Sequence, residues 1–332
     1  MFRSLARNAK SRLVDGFSVG LRKIAERSIP RDRAISAWRR FWVDLLLLPN
    51  DYLAVRRGYQ EMTGVSPRLF KPSTFNEHVQ RGKLLQRQKI YTIYADKLAV
   101  REYVARVLGY DAFPKIIWSG RHLEDLQGEK LPSEYVLKTN HSWRTQMIVR
   151  SGEKIDFDEA AQTFEKWLAN DHSIKTGEYQ YRWIEPQVFA EEIILRPDRS
   201  LPDEFNFFCF HGRVQMIEFH RGRFSKHIRA YLTRDFKRLP IIRSGYERLE
   251  ESLEAPLELA EMIKIAERIS ANDKFLRVDF MYGERPFLAE LTLRPGSGTV
   301  SFDPPSADFE LGKLWSDSRM DLAESGKAKR VR

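Results

Sequence analysis

Apolar positions along this chain follow two rhythms, and the switch between them marks its elements. Near the N-terminus the spacing is helical, with Phe2, Leu5, Ala9, Leu13, Phe17, Leu21 and Ile24 set among arginines and lysines. Residues 1–60 as a whole read as helical. In KPSTFNEHVQRGKLLQ, Thr74 and Glu77 form a Thr-x-x-Glu capping box ahead of an apolar-periodic run, so a helix starts there. A second helix is predicted over YADKLAVREYVARVLG, ended by Gly109. FPKIIWSG and LPSEYVLKTN are apolar runs of strand length, and DFDEAAQTFEKWLAN is an amphipathic helix with an acidic first turn. EPQVFAEEII, EFNFFCFHGRVQMIEFH and KHIRAYLT read as strands, the second a hairpin turning at His211-Gly212. APLELAEMIKIAERIS reads as a helix with Pro256 near its start, and the residues from about Ser316 onward read as frayed.

The segment RVDFMYGERPFLAELTLRPGSG, Arg277 to Gly298, is a second hairpin of period two. If Gly283-Glu284-Arg285-Pro286 forms the turn, Tyr282 pairs with Phe287 and Asp279 lies opposite Glu290. Two carboxylates directly across a ladder repel. A divalent cation with oxygen ligands would relieve that repulsion. Glu290, Thr292 and Arg294 then share a face, which brings a metal ligand, a hydroxyl and a guanidinium together, a set suited to handling phosphate. A solvated hairpin edge with scattered charge is the other reading of the same residues.

Composition narrows the classes. With 42% hydrophobic and 31% charged residues, the chain suits a soluble globular protein of two or three lobes. The single cysteine, Cys209, lies in an apolar run and implies a buried thiol in a reducing compartment. One cysteine and seven scattered histidines exclude a zinc module. The net charge of +10 is confined to the ends: residues 1–40 carry eleven Lys/Arg against three Asp/Glu, and residues 317–332 five against three. Removing these from the totals of 56 and 46 leaves 40 of each sign for positions 41–316. A neutral middle argues against a nucleic-acid groove. The basic amphipathic stretch at the N-terminus suits either an anionic membrane surface or packing on the protein's own body. FWVDLLLLP is too short to span a bilayer and no apolar signal-peptide core is found, so the expectation is a cytoplasmic protein, with peripheral contact to the inner membrane face through the basic helix.

Helices, then a small strand–helix–strand unit, then a mainly antiparallel sheet with helices suit an α+β protein whose lobes close over a cleft. The motifs KPSTFNEHVQ, ADKLAVREYV, LPSEYVLKTNHS, FAEEII, NFFCFHG, RVDFMY and AELTLRPGSG, in this order, resemble those of the TupA-like ATP-grasp family over roughly residues 50–315. Members are associated with bacterial surface-polysaccharide and teichuronopeptide synthesis, and many carry a loose glycosyltransferase label. The resemblance implies an ATP-grasp fold, two α+β lobes clasping ATP, preceded by a helical region. It divides the chain into 1–60, a catalytic region 61–315 (61–130, a small ATP-binding lobe 131–193, a metal-binding lobe 194–315) and a polar tail 316–332.

The resemblance also implies roles. Lys138, ending the strand YVLK, stands where the fold's phosphate-contacting lysine lies, and Lys97 resembles its other ATP lysine; Asp96 beside it suits a helix cap. Glu191 and Glu192 fall at the hinge that meets the adenine and ribose. Asp279, Glu290 and, as a weaker ligand, Thr292 match the Mg2+ site. Arg294 resembles the arginine that steadies the transferring phosphoryl or acyl phosphate, with the backbone of PGSG beside it. The sequence also departs from the family. The loop after Lys138, TNHSWRTQ, has no glycine where the family has a glycine-bearing phosphate flap, which leaves His141 and Arg144 as the phosphate donors there. Asn206 and His78 stand where lysines are expected. The implied activity is a carboxylate–amine or similar acyl ligase working through an acyl phosphate in cell-surface polysaccharide synthesis. Its substrate would be an anionic saccharide or an amino acid, the former held by Arg221, Arg223 and Arg229. A phosphotransferase, a glycosyltransferase-type enzyme lacking an Asp-x-Asp element, and a non-catalytic partner with a degenerate phosphate loop are the alternatives.

Overall fold

The computed structural model describes residues 37–153, 155–222, 227–246 and 252–322. The basic stretch near the N-terminus, Arg223 and residues 323–332 lie outside the described residues. Helix α1 (Ala37–Thr63) is followed by α2 (Phe75–Leu85), α3 (Lys89–Ala95) and α4 (Ala99–Leu108). The capping box forms as expected: Glu77 N–H donates to Thr74 Oγ1 at 3.1 Å and Glu77 in turn accepts from the backbone of Thr74. The single helix expected over YADKLAVREYVARVLG is instead broken at Asp96. Asp96 Oδ1 accepts from the N–H groups of Leu98 and Ala99, which starts a new helix and turns Lys97 out of the helical ladder.

Strands β1 (Ile116–Gly120), β2 (Tyr135–Thr139), β3 (Gln146–Val149) and β4 (Val188–Glu191) form an antiparallel sheet in the order β1-β4-β2-β3. β1 thus belongs with the strands that follow it, so this small lobe begins ahead of residue 131. Helix α5 (Phe157–Leu168) packs Phe164 and Leu168 onto the sheet against Leu137 and Val188, and the one-turn α6 (His172–Thr176) follows it.

The larger sheet is antiparallel, in the order β10-β9-β5-β6-β7. Its strands are β5 (Asp203–Phe210), β6 (Arg213–Arg221), β7 (Ile228–Leu232), β9 (Phe275–Tyr282) and β10 (Pro286–Thr292). A short pair, β8 (Ile242–Arg243) with β11 (Phe302–Asp303), lies beside it. Both faces of this sheet are covered, which explains why FNFFCF is a continuous apolar run rather than an alternating one. Phe205, Phe207 and Cys209 pack with Val278 and Phe280 under α7 (Leu259–Ser270). Phe208, Phe210 and Phe275 pack on the other side with Phe75 of α2 and Trp315 of α8 (Ser306–Ser316). Phe75 is fully buried with the Phe275 and Trp315 rings at 5.1 and 5.7 Å, a burial that stabilises by about 1.5–3 kcal/mol. Pro256 lies three residues ahead of α7, outside it. The chain beyond α8 stays on the body as far as Leu322, which is buried and whose N–H donates to Gln215 Oε1 at 3.1 Å.

Candidate active site

The second face of the large sheet is apolar toward α2 and α8 and polar farther along, where a row runs across the strands. Glu290 on β10, Asp279 on β9, Asn206 on β5 and Glu218 on β6 are successive cross-strand partners. Asp279 is opposite Glu290 as the sequence predicts, but by a different route. The turn is one residue shorter than expected, pairing Tyr282 with Pro286, and a β-bulge at Ala289 restores the register before Glu290.

Sequence reasoning missed the residue that organises the two acids. Arg277, two positions before Asp279 on the same face, forks onto it with Nε to Oδ1 at 2.7 Å and Nη2 to Oδ2 at 2.6 Å. Its guanidinium also lies 3.8 Å from Glu290 and 3.9 Å from Glu218. The period-two spacing that groups Glu290 with Thr292 could have found it. Thr292 Oγ1 donates to Asp279 Oδ2 at 2.8 Å, tying the hydroxyl to the carboxylate. Burial pushes the Asp279 carboxyl above the usual carboxylate range, against the pull of Arg277, and Glu290 adds to the rise. A set of oxygen donors that is short of positive charge fits Mg2+. Arg277 and Thr292 both donate to Asp279 Oδ2, while Oδ1 accepts from Arg277 Nε and keeps a second lone pair for a cation.

The two lysines come from different elements, Lys138 from the small sheet and Lys97 from helices packed in the core of the larger one. Lys97, in the turn between α3 and α4, donates from its backbone to Asn140 O at 3.0 Å and from Nζ to Ser142 O at 2.5 Å. The same Nζ lies 3.9 Å from Glu290 Oε2, and burial lowers its pKa. Lys138, at the end of β2, pairs with Glu191, and Glu191 also takes Arg101 Nη2 at 2.5 Å. Glu191 is therefore buried in an ion-pair network with Lys138 and Arg101. Glu192 turns the other way, accepting from Lys115 N–H at 2.8 Å.

The glycine-free loop after Lys138 holds its shape by other means. The hydroxyls of Thr139, Ser142 and Thr145 form a buried triangle with edges of 2.9, 2.6 and 2.6 Å. Arg144 adopts the left-handed conformation, φ 60°, that a glycine would take at lower cost. Its guanidinium lies 5.2 Å from the ring of the exposed Trp143, whereas His141 is buried.

Arg294 does not continue the face of Glu290 and Thr292. Strand pairing ends at Thr292, and the Arg294 guanidinium is buried beside α2, where a Cβ on Gly82 would come within 2.9 Å of it. Nη1 donates to Leu293 O at 3.1 Å, while Nε and Nη2 have no hydrogen-bond partner among the described residues. Near it, the PGSG turn joins a second set that the sequence did not reveal. Lys83 Nζ donates to Ser297 Oγ at 2.8 Å, and Ser297 Oγ donates to Glu178 Oε1 at 2.7 Å. Burial lowers Lys83 to about 8. Burial raises the Tyr181 hydroxyl well above its ordinary value, and the charges of Glu178 and Glu290 add to the rise.

Arg221 is forked onto Asp203 at 2.9 and 2.6 Å, so its charge is already engaged. Arg229 lies 3.5 Å from Glu218, with its guanidinium 4.2 Å from the Tyr246 ring. A histidine–glutamate group elsewhere, His122, Glu124 and Glu165, is exposed beside a hollow of about 570 Å3 against α5, apart from the acids and lysines of the cleft.

Two α+β lobes, with Lys138 on the smaller sheet, paired acids on the larger one and Lys97 on the α3–α4 turn beside both, are the arrangement of an ATP-grasp-type enzyme, and such enzymes use ATP and Mg2+. The sequence profile of the TupA-like ATP-grasp family matches residues 77–316, and the chain belongs to that family. Among solved structures it is similar to an L-amino acid ligase from Bacillus licheniformis, at 16% identity and TM-score 0.40, covering 74% of this chain and 55% of that one. It is also similar to a D-alanine–D-alanine ligase from Bacillus anthracis complexed with ATP, at 21% identity and TM-score 0.38, covering 72% and 68%. The chain thus spans little more than half the length of the first and about two thirds of the second. No curated protein matches it.

Proposed function

We propose that the protein is an ATP- and Mg2+-dependent carboxylate–amine or similar acyl ligase that acts in the cytoplasm in cell-surface polysaccharide synthesis. The observation that carries this reading is the meeting of Lys97 with Glu290 at 3.9 Å and with the loop after β2 through Ser142 O at 2.5 Å, with Asp279 and Arg277 directly behind Glu290. When bound, Mg·ATP would supply the phosphoryl group that turns a carboxylate into an acyl phosphate with release of ADP, and attack of an amine on the acyl carbon would then expel orthophosphate. Asp279 and Glu290 would hold the cation, with Thr292 supporting them by its hydrogen bond. Lys97 and Lys138 neutralise phosphate oxygens, and the Glu191 network fixes Lys138 in place. Arg277, already beside both acids, presents the fork that steadies charge on the transferring group. Arg294, with two buried donors unsatisfied among the described residues, faces the PGSG turn and suits an anionic group of the substrate.

The substrate is proposed to be an amino acid or an anionic saccharide. Arg229, on the same sheet face as Asp279, is the arginine of the expected three best set to contact a saccharide acid. In this reading residues 1–60 precede a catalytic region extending to about 315, with residues 61–130 contributing Lys97, the small lobe Lys138 and residues 194–315 the acids.

Phosphate release from ATP tests the proposal. A ligase releases orthophosphate only when a carboxylate and an amine are both supplied. ADP formed with one acceptor alone and without free orthophosphate favours a phosphotransferase, and no turnover with any pairing of sugar acids, amino acids and amines favours the binding-partner reading. Titration calorimetry with Mg·ATP on Asp279→Ala and Glu290→Ala tests the cation site, and unchanged affinity in both removes it.

A further inference from the structure

We propose that the outward face of α1 docks on an anionic lipid bilayer. The first half of this helix is apolar almost all round, yet only one side of it is used inside. Leu47, Val55 and Tyr59 are buried, while Phe41 (59% exposed), Trp42 (43%), Leu45 (47%) and Leu46 (60%) face outward, with Leu48 and Tyr52 on the same side. Four large apolar side chains left this open in one stretch mark an interaction surface rather than scattered exposure.

What fastens α1 to the body is ionic. Asp51 is fully buried and takes Arg182 Nη2 at 2.6 Å and Arg87 Nη2 at 2.5 Å, while Asp44 takes Arg182 Nη1 at 2.8 Å. Both acids of the apolar half are therefore turned inward and paired, and the outward face from Phe41 to Arg57 carries no acidic residue. The exposed Arg56 and Arg57 close that face at one end. The sequence ahead of the helix, residues 1–36, carries nine Lys/Arg against three Asp/Glu. Aromatic and leucine side chains framed by arginines, on a helix that lies along the body, form the pattern of an interfacial helix that uses apolar insertion and attraction to anionic headgroups together. No described helix is long and apolar enough to cross a membrane, so the contact lies on the surface. A second copy of the chain is a poor occupant, because two such faces would set like charges against each other. This inference does not depend on the ligase reading.

The test is co-sedimentation of the full chain with vesicles of phosphatidylglycerol and phosphatidylcholine in equal parts, against phosphatidylcholine alone. The wild type is expected to sediment with the anionic vesicles, less so as salt rises. The triple variant Phe41→Glu, Leu45→Glu, Leu46→Glu is expected to lower the partition constant by roughly 100-fold or more, with its thermal unfolding midpoint near that of the wild type. If the triple variant does not fold, Trp42→Ser with Leu46→Ser serves instead, with an expected loss of roughly 10-fold. Absence of wild-type binding to anionic vesicles overturns the proposal. So does equal binding by the folded variant, or a wild-type dimer that the variant dissociates while vesicle binding is unchanged.

Discussion

Replacing Arg277 by methionine tests the reasoning about the acid centre more sharply than replacing either acid. The side chain of Arg277 is mostly buried and stands among three carboxylates, forked onto Asp279 and within 4.0 Å of Glu218 and Glu290. Methionine fills much of the same volume, so the loss is chiefly one of charge. Removing one partner of a buried pair leaves an uncompensated charge and costs about 3–5 kcal/mol. Against a total stability of roughly 5–15 kcal/mol, the variant should still fold, with a clearly lower urea midpoint in the absence of divalent cation. The double variant Arg277→Met, Asp279→Asn removes the stranded charge as well, and should recover about 2 kcal/mol or more of the loss. Arg277→Lys should fall between, because an ammonium cannot fork onto both oxygens. Urea unfolding at neutral pH in the presence of chelator, completed as a double-mutant cycle, is the assay. A cost below about 1 kcal/mol for Arg277→Met, or a double variant no more stable than the single, would refute the account of Arg277 as the cation that makes two buried acids tolerable.

Other consequences can be measured separately. Lys138→Met should weaken Mg·ATP binding by roughly 10–100-fold in calorimetry while leaving the protein folded, because Arg101 still holds Glu191. Thr145→Val opens the hydroxyl triangle and should cost about 1–3 kcal/mol. It should also speed hydrogen exchange at the Thr139 amide, which donates to Thr145 O at 3.1 Å. His78 stacks on Trp315 at 5.1 Å between centroids, and burial lowers its pKa to about 4 from 6.5. The unfolded chain therefore binds more protons between those values, so stability should fall as pH drops from 6.5 to 4. Discounted for partial exposure, the contribution is about 1–2 kcal/mol, read as a flatter dependence of the urea midpoint on pH in His78→Phe.

Local signals were the legible part of the fold. The Thr74–Glu77 box, the His211-Gly212 turn and the apolar runs of β2, β4 and β5 each depend on residues a few positions apart, and each appears where the sequence puts it. The class, α+β with two lobes over a cleft, follows from their order. What the sequence could not carry was competition between neighbours. YADKLAVREYVARVLG has helical periodicity throughout, but the Asp96 carboxylate captures two backbone N–H groups and breaks the run. That break brings Lys97 to the loop after β2, so its contact with Ser142 arises from an interruption that periodicity smooths over.

The site shows the same division more severely. Asp279 opposite Glu290 was legible because only the parity of the hairpin mattered, and a shorter turn offset by the bulge at Ala289 leaves that parity intact. Arg294 was not, because the period-two reading assumed a strand that stops at Thr292, after which the chain turns its guanidinium toward Gly82. Between Lys83 and Ser297 lie 214 positions, and Glu178 comes from a third element, so no spacing rule could have assembled that set. A guanidinium with two donors and no acceptor among the described residues, beside a lysine held near neutrality by burial, makes sense if the PGSG turn receives an anion. On the proposed ligase reading, the acids at Asp279 would serve the cation and the turn at Ser297 a negative group of the substrate.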